Sequence, residues 1–183
     1  MQNNIGLYLG KRAHVTPHME AVVDTASGQR FTFQALDRRA NKLANAMSDL
    51  GIKKGDRVAI LMMNSTEYVE SFYGLAKIGA IIVPLNWRLV ADELSFILKD
   101  AGAIAMIYGS DFAEVATELH SRGRDATEIK HWIELSEGKA RNPFAQDYED
   151  ITQQSSADAP ATDTGDDDDL FIMYTSGTTG LPK

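Results

Sequence analysis

The stretch from Gly55 to Leu85, GDRVAILMMNSTEYVESFYGLAKIGAIIVPL, gives the strongest indication of fold in this 183-residue chain. It contains two continuous apolar runs, RVAILMM and AIIVPL, and each has the length of a strand. Between them, Ser65 or Thr66 can begin a helix, EYVESFYGLAKI, which Gly79 ends. Strands that are apolar on both sides belong to parallel sheets covered on both faces. The stretch therefore predicts a strand–helix–strand unit of an α/β sheet.

The same alternation continues toward the carboxyl end of the chain. ADELSFILKDA predicts an amphipathic helix, AIAMIY a strand, DFAEVATELHSRG a helix capped by Ser110, and KHWIEL a further strand. One helix between successive strands matches the length of a parallel crossover. The predicted fold class is α/β, with an open, mostly parallel sheet and helices on both faces.

The flanking regions are predicted to be simpler. NIGLYLGKRA predicts a short helix, EAVVDT and RFTF a hairpin, and FQALDRRANKLANAMSDL a helix that Thr32 caps and Gly51 ends. Residues 136–168 are polar and predict an irregular, acidic connection. DDLFIMYT then predicts a last apolar strand. Residues 1–183 are therefore expected to form one domain or part of one.

Charge and composition exclude several classes of protein. The net charge is -8, and six aspartates of Asp158–Asp169 account for most of it, which leaves -2 for the rest of the chain. Without a basic stripe, a nucleic-acid partner is not expected. The absence of cysteine excludes a disulfide scaffold, a zinc–thiolate site and a cysteine nucleophile. No signal peptide and no apolar run of membrane-spanning length is visible, so a cytoplasmic location is predicted.

Several residues that suggest chemistry have simpler interpretations. The four consecutive aspartates, Asp166–Asp169, are predicted to be solvated rather than to bind calcium. His14 and His18 are separated by Thr16 and Pro17, so they are interpreted as surface residues. Neither His120 nor His131 has an evident partner as a catalytic base. Trp87 and Trp132 are interpreted as packing residues, and contact with a substrate is the alternative.

The last ten residues, YTSGTTGLPK from Tyr174 to Lys183, are the most suggestive of a ligand. Glycines allow the backbone to approach a ligand closely, successive amides can form an anion-binding nest, and hydroxyls and Lys183 add donors and charge. The spacing does not fit a Walker A loop, and the chain contains no G-x-G-x-x-G fingerprint. Phosphate binding is favoured, and a polar Ser/Thr/Gly linker is the alternative.

The decapeptide resembles the signature loop of the adenylate-forming (AMP-binding) enzymes, which include acyl-CoA synthetases, firefly luciferase and peptide synthetase adenylation domains. GIKKGDRV, GAIIVPLN and ADELSFILKDAGAIAMI are similar to the N-terminal part of the same family. The resemblance covers nearly the whole chain and is weakest between Ser136 and Thr164. It is most like the bacterial fatty-acyl or aryl-acyl-CoA synthetases, so the chain is identified as the N-terminal part of the large domain of such an enzyme.

The resemblance implies a two-step reaction. A carboxylic acid, expected to be a fatty acid, reacts with Mg-ATP to give an acyl-adenylate, and coenzyme A then forms a thioester. The phosphate-binding loop, residues 174–183, would hold the ATP phosphates. By position in the motif, the contacting residues are Thr175, Ser176, Gly177, Thr178, Thr179, Gly180 and Lys183. A homodimer is a further expectation, because such ligases often dimerise.

The resemblance also sets limits. The adenine, ribose, magnesium and acyl sites and the mobile C-terminal lid domain of this family are expected beyond Lys183, so the catalytic and metal-binding residues are unknown. A chain ending at Lys183 is expected to be inactive alone, whether it is a proteolytic fragment, an engineered subdomain or a truncated gene product. Two alternatives remain open. One is a non-catalytic α/β module that binds phosphate or a partner, and the other is an amino-acid-activating domain that loads a carrier protein.

Overall fold

A computed structural model describes residues 4–25 and 27–175 of the chain. The chain divides into two compact units. The first unit consists of Met1–Gly55, Asn64–Ala80 and Ile151–Leu170, and the second of Asp56–Met63, Ile81–Asp150 and Phe171–Lys183. Each unit is therefore built from segments that are distant in sequence.

The first unit is mainly helical. Its elements are helix α1 Gly6–Val15, strands β1 Glu20–Val23 and β2 Arg30–Thr32, and helices α2 Phe33–Asp49 and α3 Thr66–Lys77. The two strands pair antiparallel, which confirms the predicted hairpin. Gly51 follows α2 with φ 88°, a conformation that glycine adopts without strain, and this confirms it as the helix stop.

Side chains cap two of these helices as predicted. The Thr32 hydroxyl oxygen accepts a hydrogen bond from the backbone N–H of Ala35 at 3.2 Å. The Ser65 hydroxyl oxygen accepts one from the backbone N–H of Tyr68 at 3.1 Å. Each bond satisfies a backbone donor that has no partner within the helix. The helix starts thus follow directly from local sequence.

The cap of α2 gives a first testable prediction. Replacing Thr32 by alanine removes the acceptor for Ala35 and is expected to lower the free energy of unfolding by about 1 kcal/mol. Urea denaturation followed by circular dichroism measures this loss. Thr32→Ser is the matched control, because it keeps the acceptor oxygen and is expected to retain most of the stability. Equal losses in both variants would contradict the capping role.

The core of the first unit depends on close helix packing. Leu9 of α1 packs with Leu36 and Ala40 of α2, and all three are almost fully buried. Lys77 of α3 forms an ion pair with Asp37 of α2, with 2.6 Å between Nζ and Oδ1, and the lysine side chain is only 5% exposed. A buried lysine needs such a partner, because an isolated charge is costly to remove from water.

The second unit contains the sheet. Its strands are β3 Arg57–Leu61, β4 Ile81–Pro84, β5 Ala103–Gly109, β6 His131–Leu135 and β7 Gln146–Asp147, with helices α4 Ala91–Asp100 and α5 Ala113–Ser121 between them. The strand order is β4-β3-β5-β6-β7, and all neighbouring strands are parallel. Leu94 and Leu98 of α4 and Leu119 of α5 pack against the sheet. This parallel sheet with flanking helices confirms the predicted α/β class.

The predicted irregular connection over residues 136–168 contains regular structure. It includes β7 and a following helix, α6 Tyr148–Gln154, and the Tyr148 side chain is completely buried. Both elements are too short for hydrophobic periodicity to reveal them. The rest of the connection within the first unit is held by side-chain amides. Asn41 donates to the carbonyl of Ala157 at 3.0 Å, and Asn45 to that of Ser156 at 2.8 Å.

Two further predictions are wrong in detail. DDLFIMYT, residues 168–175, is predicted to form a strand, but it forms only an isolated parallel bridge between Phe171 and Ile82. Ser110 was expected to cap α5, but it lies in a 3-10 turn, Ser110–Phe112, and α5 begins at Ala113. The Ser110 hydroxyl instead donates to the carboxylate of Glu137 at 2.9 Å. A tertiary partner therefore replaces the local cap at this position.

Candidate functional site

The candidate site begins at the segment Phe171–Thr175, which runs beside the edge strand β4 in the second unit. The backbone N–H of Ile172 donates to the carbonyl of Ile82 at 2.9 Å, next to the parallel bridge at Phe171. Of the predicted phosphate-binding residues, the structure describes only Thr175, which is exposed. The other candidates lie outside the described residues: Ser176, Gly177, Thr178, Thr179, Gly180 and Lys183.

Every second side chain of this segment packs into the second unit. Ile172 and Tyr174 pack against the core that α4 and α5 form with the sheet, whereas Phe171 and Met173 are 48% and 61% exposed. The Tyr174 hydroxyl donates to the Asp100 carboxylate at 2.6 Å. Burial, assisted by this hydrogen bond, raises the pKa of Tyr174 to about 12, which favours the protonated phenol that donates to Asp100. The residue that begins the motif is thus fixed at the end of α4.

The loop after β4 adds exposed polar and aromatic groups. The backbone N–H of Leu85 donates to the carbonyl oxygen of Ile60 at 2.9 Å. The Asn86 side-chain oxygen accepts a hydrogen bond from the backbone N–H of Arg88 at 3.0 Å, which shapes the turn. Trp87 is 48% exposed, and the Arg88 guanidinium lies 4.7 Å from its ring centroid. The packing interpretation is therefore wrong for Trp87. The carboxyl ends of parallel strands lie at the same edge of a sheet, and this loop follows the carboxyl end of β4. That edge is where α/β proteins generally bind ligands.

A buried polar network connects the ends of β5 and β6. The Glu134 side chain is fully buried, and its Oε2 accepts hydrogen bonds from the Tyr108 hydroxyl and from the Asn142 N–H, both at 2.9 Å. Burial raises the pKa of Tyr108 above its ordinary value. The side-chain amide of Asn142 also donates to the Tyr108 hydroxyl at 3.2 Å, whereas its backbone N–H is the donor to Glu134. The only sequence signal for this network was a single glutamate within an apolar strand.

Trp132 and the histidines differ in their surroundings. Trp132 is 5% exposed and packs in the core, which confirms its packing interpretation. His14 and His18 are exposed, as interpreted. His120 stacks on Phe144 with 3.9 Å between ring centroids. Burial and the nearby Lys130 lower the pKa of His131, which favours its neutral form.

No metal centre is formed by the part of the chain that the structure describes, since it contains no group of three or more His, Asp or Glu side chains suited to hold an ion. Asp168 has an evident structural role. Its carboxylate accepts from the Gly165 N–H at 2.6 Å and pairs with Lys54 at 2.8 Å, and both contacts lower its pKa. Asp166, Asp167 and Asp169 are exposed.

Over residues 4–25 and 27–175, no helix combines the length and the apolar character needed to cross a membrane.

Comparison with known proteins relates nearly the whole chain to one family. The AMP-binding family, described as AMP-binding enzyme, matches residues 9–183. The long-chain-fatty-acid–CoA ligase FadD13 of Mycobacterium tuberculosis is 43% identical over 180 residues, which is 98% of this chain and 34% of that protein. The chain therefore spans about a third of the length of this curated relative.

Two solved structures show the same fold. The M. tuberculosis fatty acyl CoA synthetase superposes with a TM-score of 0.87 at 41% identity, over 98% of this chain and 33% of that one. An anthranilate CoA ligase, AuaEII, in complex with anthranoyl-AMP gives a TM-score of 0.90 at 26% identity, over 100% of this chain and 34% of that one. The similarity thus extends through both units.

Proposed function

Because the chain belongs to the AMP-binding enzyme family, we propose that it forms the N-terminal part of the AMP-binding domain of an AMP-forming acyl-CoA ligase. The observation that carries the proposal is the 43% identity, over 98% of the chain, to a protein named as a long-chain-fatty-acid–CoA ligase. The motif YTSGTTGLPK, whose first two residues belong to the segment beside β4, supports it. A fatty acid is the proposed carboxylic acid substrate.

The proposed reaction has two steps, adenylation of the acid and formation of the thioester. A carboxylate oxygen attacks the α-phosphorus of ATP, the α–β phosphoanhydride bond breaks, and acyl-AMP and pyrophosphate are formed. The thiol of coenzyme A then attacks the acyl carbonyl, loses its proton, and displaces AMP to give the acyl-CoA thioester. Adenylation is useful because AMP is a much better leaving group than the oxide of a free carboxylate.

The proposed contribution of this chain is to bind the phosphates. The backbone amides and hydroxyls of Thr175–Gly180 would donate to the β- and γ-phosphate oxygens, and Lys183 would add a positive charge. Tyr174 would support the loop, because its hydrogen bond to Asp100 fixes the residue just before the donors. Mg²⁺ bound to ATP would neutralise further phosphate charge, and the described residues contain no group of three or more His, Asp or Glu side chains suited to hold an ion.

Product analysis of the complete gene product tests this function. With ATP, Mg²⁺, coenzyme A and a series of fatty and aryl acids, we expect equal amounts of AMP and acyl-CoA, separated by chromatography. Release of ADP instead of AMP would contradict the proposal. Activation of amino acids without coenzyme A thioesters would support the carrier-protein alternative, and no acid-dependent ATP consumption would support the non-catalytic alternative. A homodimer and a cytoplasmic location remain predictions from sequence.

A further inference from the structure

A half-open cleft lies within the first unit, and all of its lining residues belong to that unit. It is bounded by the start of α2, by the preceding strand β2, and by the last residues of α6. Its volume is about 400 Å³, which is within the usual range for small-molecule sites. The residues that decide its chemistry are Phe31, Gln34, Arg38, Arg39, Lys42 and Gln153.

Arg39 forms a fixed part of the wall. It forms ion pairs with Glu70 and, at 3.6 Å, with Glu67. Its guanidinium also lies 5.3 Å from the ring centroid of Phe31. Glu70 is only 2% exposed, so a buried carboxylate neutralises the Arg39 charge. Arg39 therefore positions the Phe31 ring and leaves little charge for a ligand.

Arg38 and Lys42 differ from Arg39, because neither has a hydrogen bond or an ion pair to any other residue that the structure describes. They are four residues apart on α2, so they lie on the same face of the helix. Two like charges at this spacing on a helix repel each other. In a chain of net charge -8, two uncompensated cations at one cleft mark a site of locally positive potential.

The remaining wall of the cleft is both polar and apolar. Gln34, one turn before Arg38, and Gln153 of α6 provide side-chain amides at the cleft. The Phe31 ring, Ala35 and the methylene stems of Arg38 and Lys42 provide apolar surface. The cleft is too large for an inorganic anion to fill, so its chemistry favours a ligand with both a charged group and an apolar body.

We infer that this cleft binds a small organic anion with an oxyanion head group, carboxylate or phosphate, on a partly apolar body. Arg38 and Lys42 bind the head group, and the apolar body packs against Phe31 and Ala35. The inference does not rest on the ligase function, because it uses none of residues 174–183. Its failure and the failure of the proposed function are therefore separate results.

Titrations followed by nuclear magnetic resonance test the site. The probes are octanoate, 1-naphthyl phosphate, inorganic phosphate and the neutral analogue octanol. We expect octanoate or 1-naphthyl phosphate to shift the side-chain amide signals of Gln34 and Gln153, and the tighter of the two identifies the preferred head group. Inorganic phosphate is expected to bind more weakly, and octanol is expected not to shift these signals. Equal shifts from octanol and octanoate, or none from either anion, would overturn the inference.

Charge-reversal variants locate the binding. Arg38→Glu and Lys42→Glu are each expected to weaken binding by about tenfold or more, since each replaces an attractive charge by a repulsive one. Arg124→Glu makes the same change at an exposed arginine of the second unit and is expected to leave the affinity unchanged. Circular dichroism confirms folding of each variant. Wild-type affinity in the folded Arg38 and Lys42 variants would show that the cleft is not the site.

Discussion

Replacing Gly74 by leucine is expected to lower the free energy of unfolding by about 3 kcal/mol or more. Gly74 lies in α3 where this helix meets α2, and a Cβ atom at this position would be 2.9 Å from the carbonyl oxygen of Ala40 and 3.1 Å from the Leu43 side chain. Ala40 and Leu43 are completely buried, so neither helix can yield without opening the core. Since typical domains are stable by only about 5–15 kcal/mol, this variant loses a large fraction of its stability.

Two glycine-to-alanine variants separate the effect of a steric clash on stability from the effect of helix propensity. Alanine favours a helix over glycine by about 1 kcal/mol. At Gly10 of α1 the atom nearest to an added Cβ would be Asp37 Oδ1, at 3.4 Å, so Gly10→Ala is expected to be neutral or stabilising. At Gly74 the clash outweighs the propensity gain, so Gly74→Ala is expected to destabilise. The measurement is urea denaturation, and a stabilised Gly74→Ala variant would show that the two helices have room to separate.

Replacing Glu134 by alanine is the second change with a large expected effect, again about 3 kcal/mol. The substitution removes the acceptor of the Tyr108 hydroxyl and of the Asn142 N–H, and it leaves a cavity in a fully buried site. Each unsatisfied buried donor costs about 1–3 kcal/mol. The pKa of Tyr108 is raised, so its hydroxyl stays protonated, and remains a hydrogen-bond donor, throughout the neutral pH range. The loss is therefore expected to be constant across neutral pH.

A double-mutant cycle identifies the cause of this loss. Tyr108→Phe removes one donor but keeps the ring, so it is expected to cost less than Glu134→Ala. Tyr108→Phe combined with Glu134→Ala is expected to cost less than the sum of the single losses, because the hydroxyl no longer lacks a partner. Glu134→Gln keeps an acceptor oxygen and is the conservative control. Strictly additive losses would show that the two side chains do not act through their hydrogen bond.

The sequence predicted the fold where structure is decided locally. Continuous apolar runs identified β3 to β6, and capping residues such as Thr32 and Ser65 identified helix starts. It failed where distant residues decide the outcome. Ser110 donates to Glu137 instead of capping α5, and β7 has only two residues, so its position depends on pairing with β6.

The candidate site was predictable only as a motif. Residues 174–183 identified the family by their order, and Tyr174 was recognised as the start of the loop, but its hydrogen bond to Asp100 joins positions 74 residues apart. The cleft beside α2 was not predicted either, because Arg38 and Lys42 resemble ordinary surface charges in the sequence. Only the arrangement of α2, β2 and α6 shows that they share a concave surface.

The central claim is that residues 174–183 bind the phosphates of ATP in an AMP-forming ligase. Carboxylate-dependent exchange of radioactive pyrophosphate into ATP by the complete gene product tests it most directly, with the wild-type protein and Lys183→Ala compared. The wild-type protein is expected to exchange only when a carboxylic acid is present. Lys183→Ala is expected to fold normally and to lose about 10²–10³ in kcat/KM, since it removes the positive charge that is proposed to stabilise the transition state. Wild-type exchange rates in Lys183→Ala would contradict the claim.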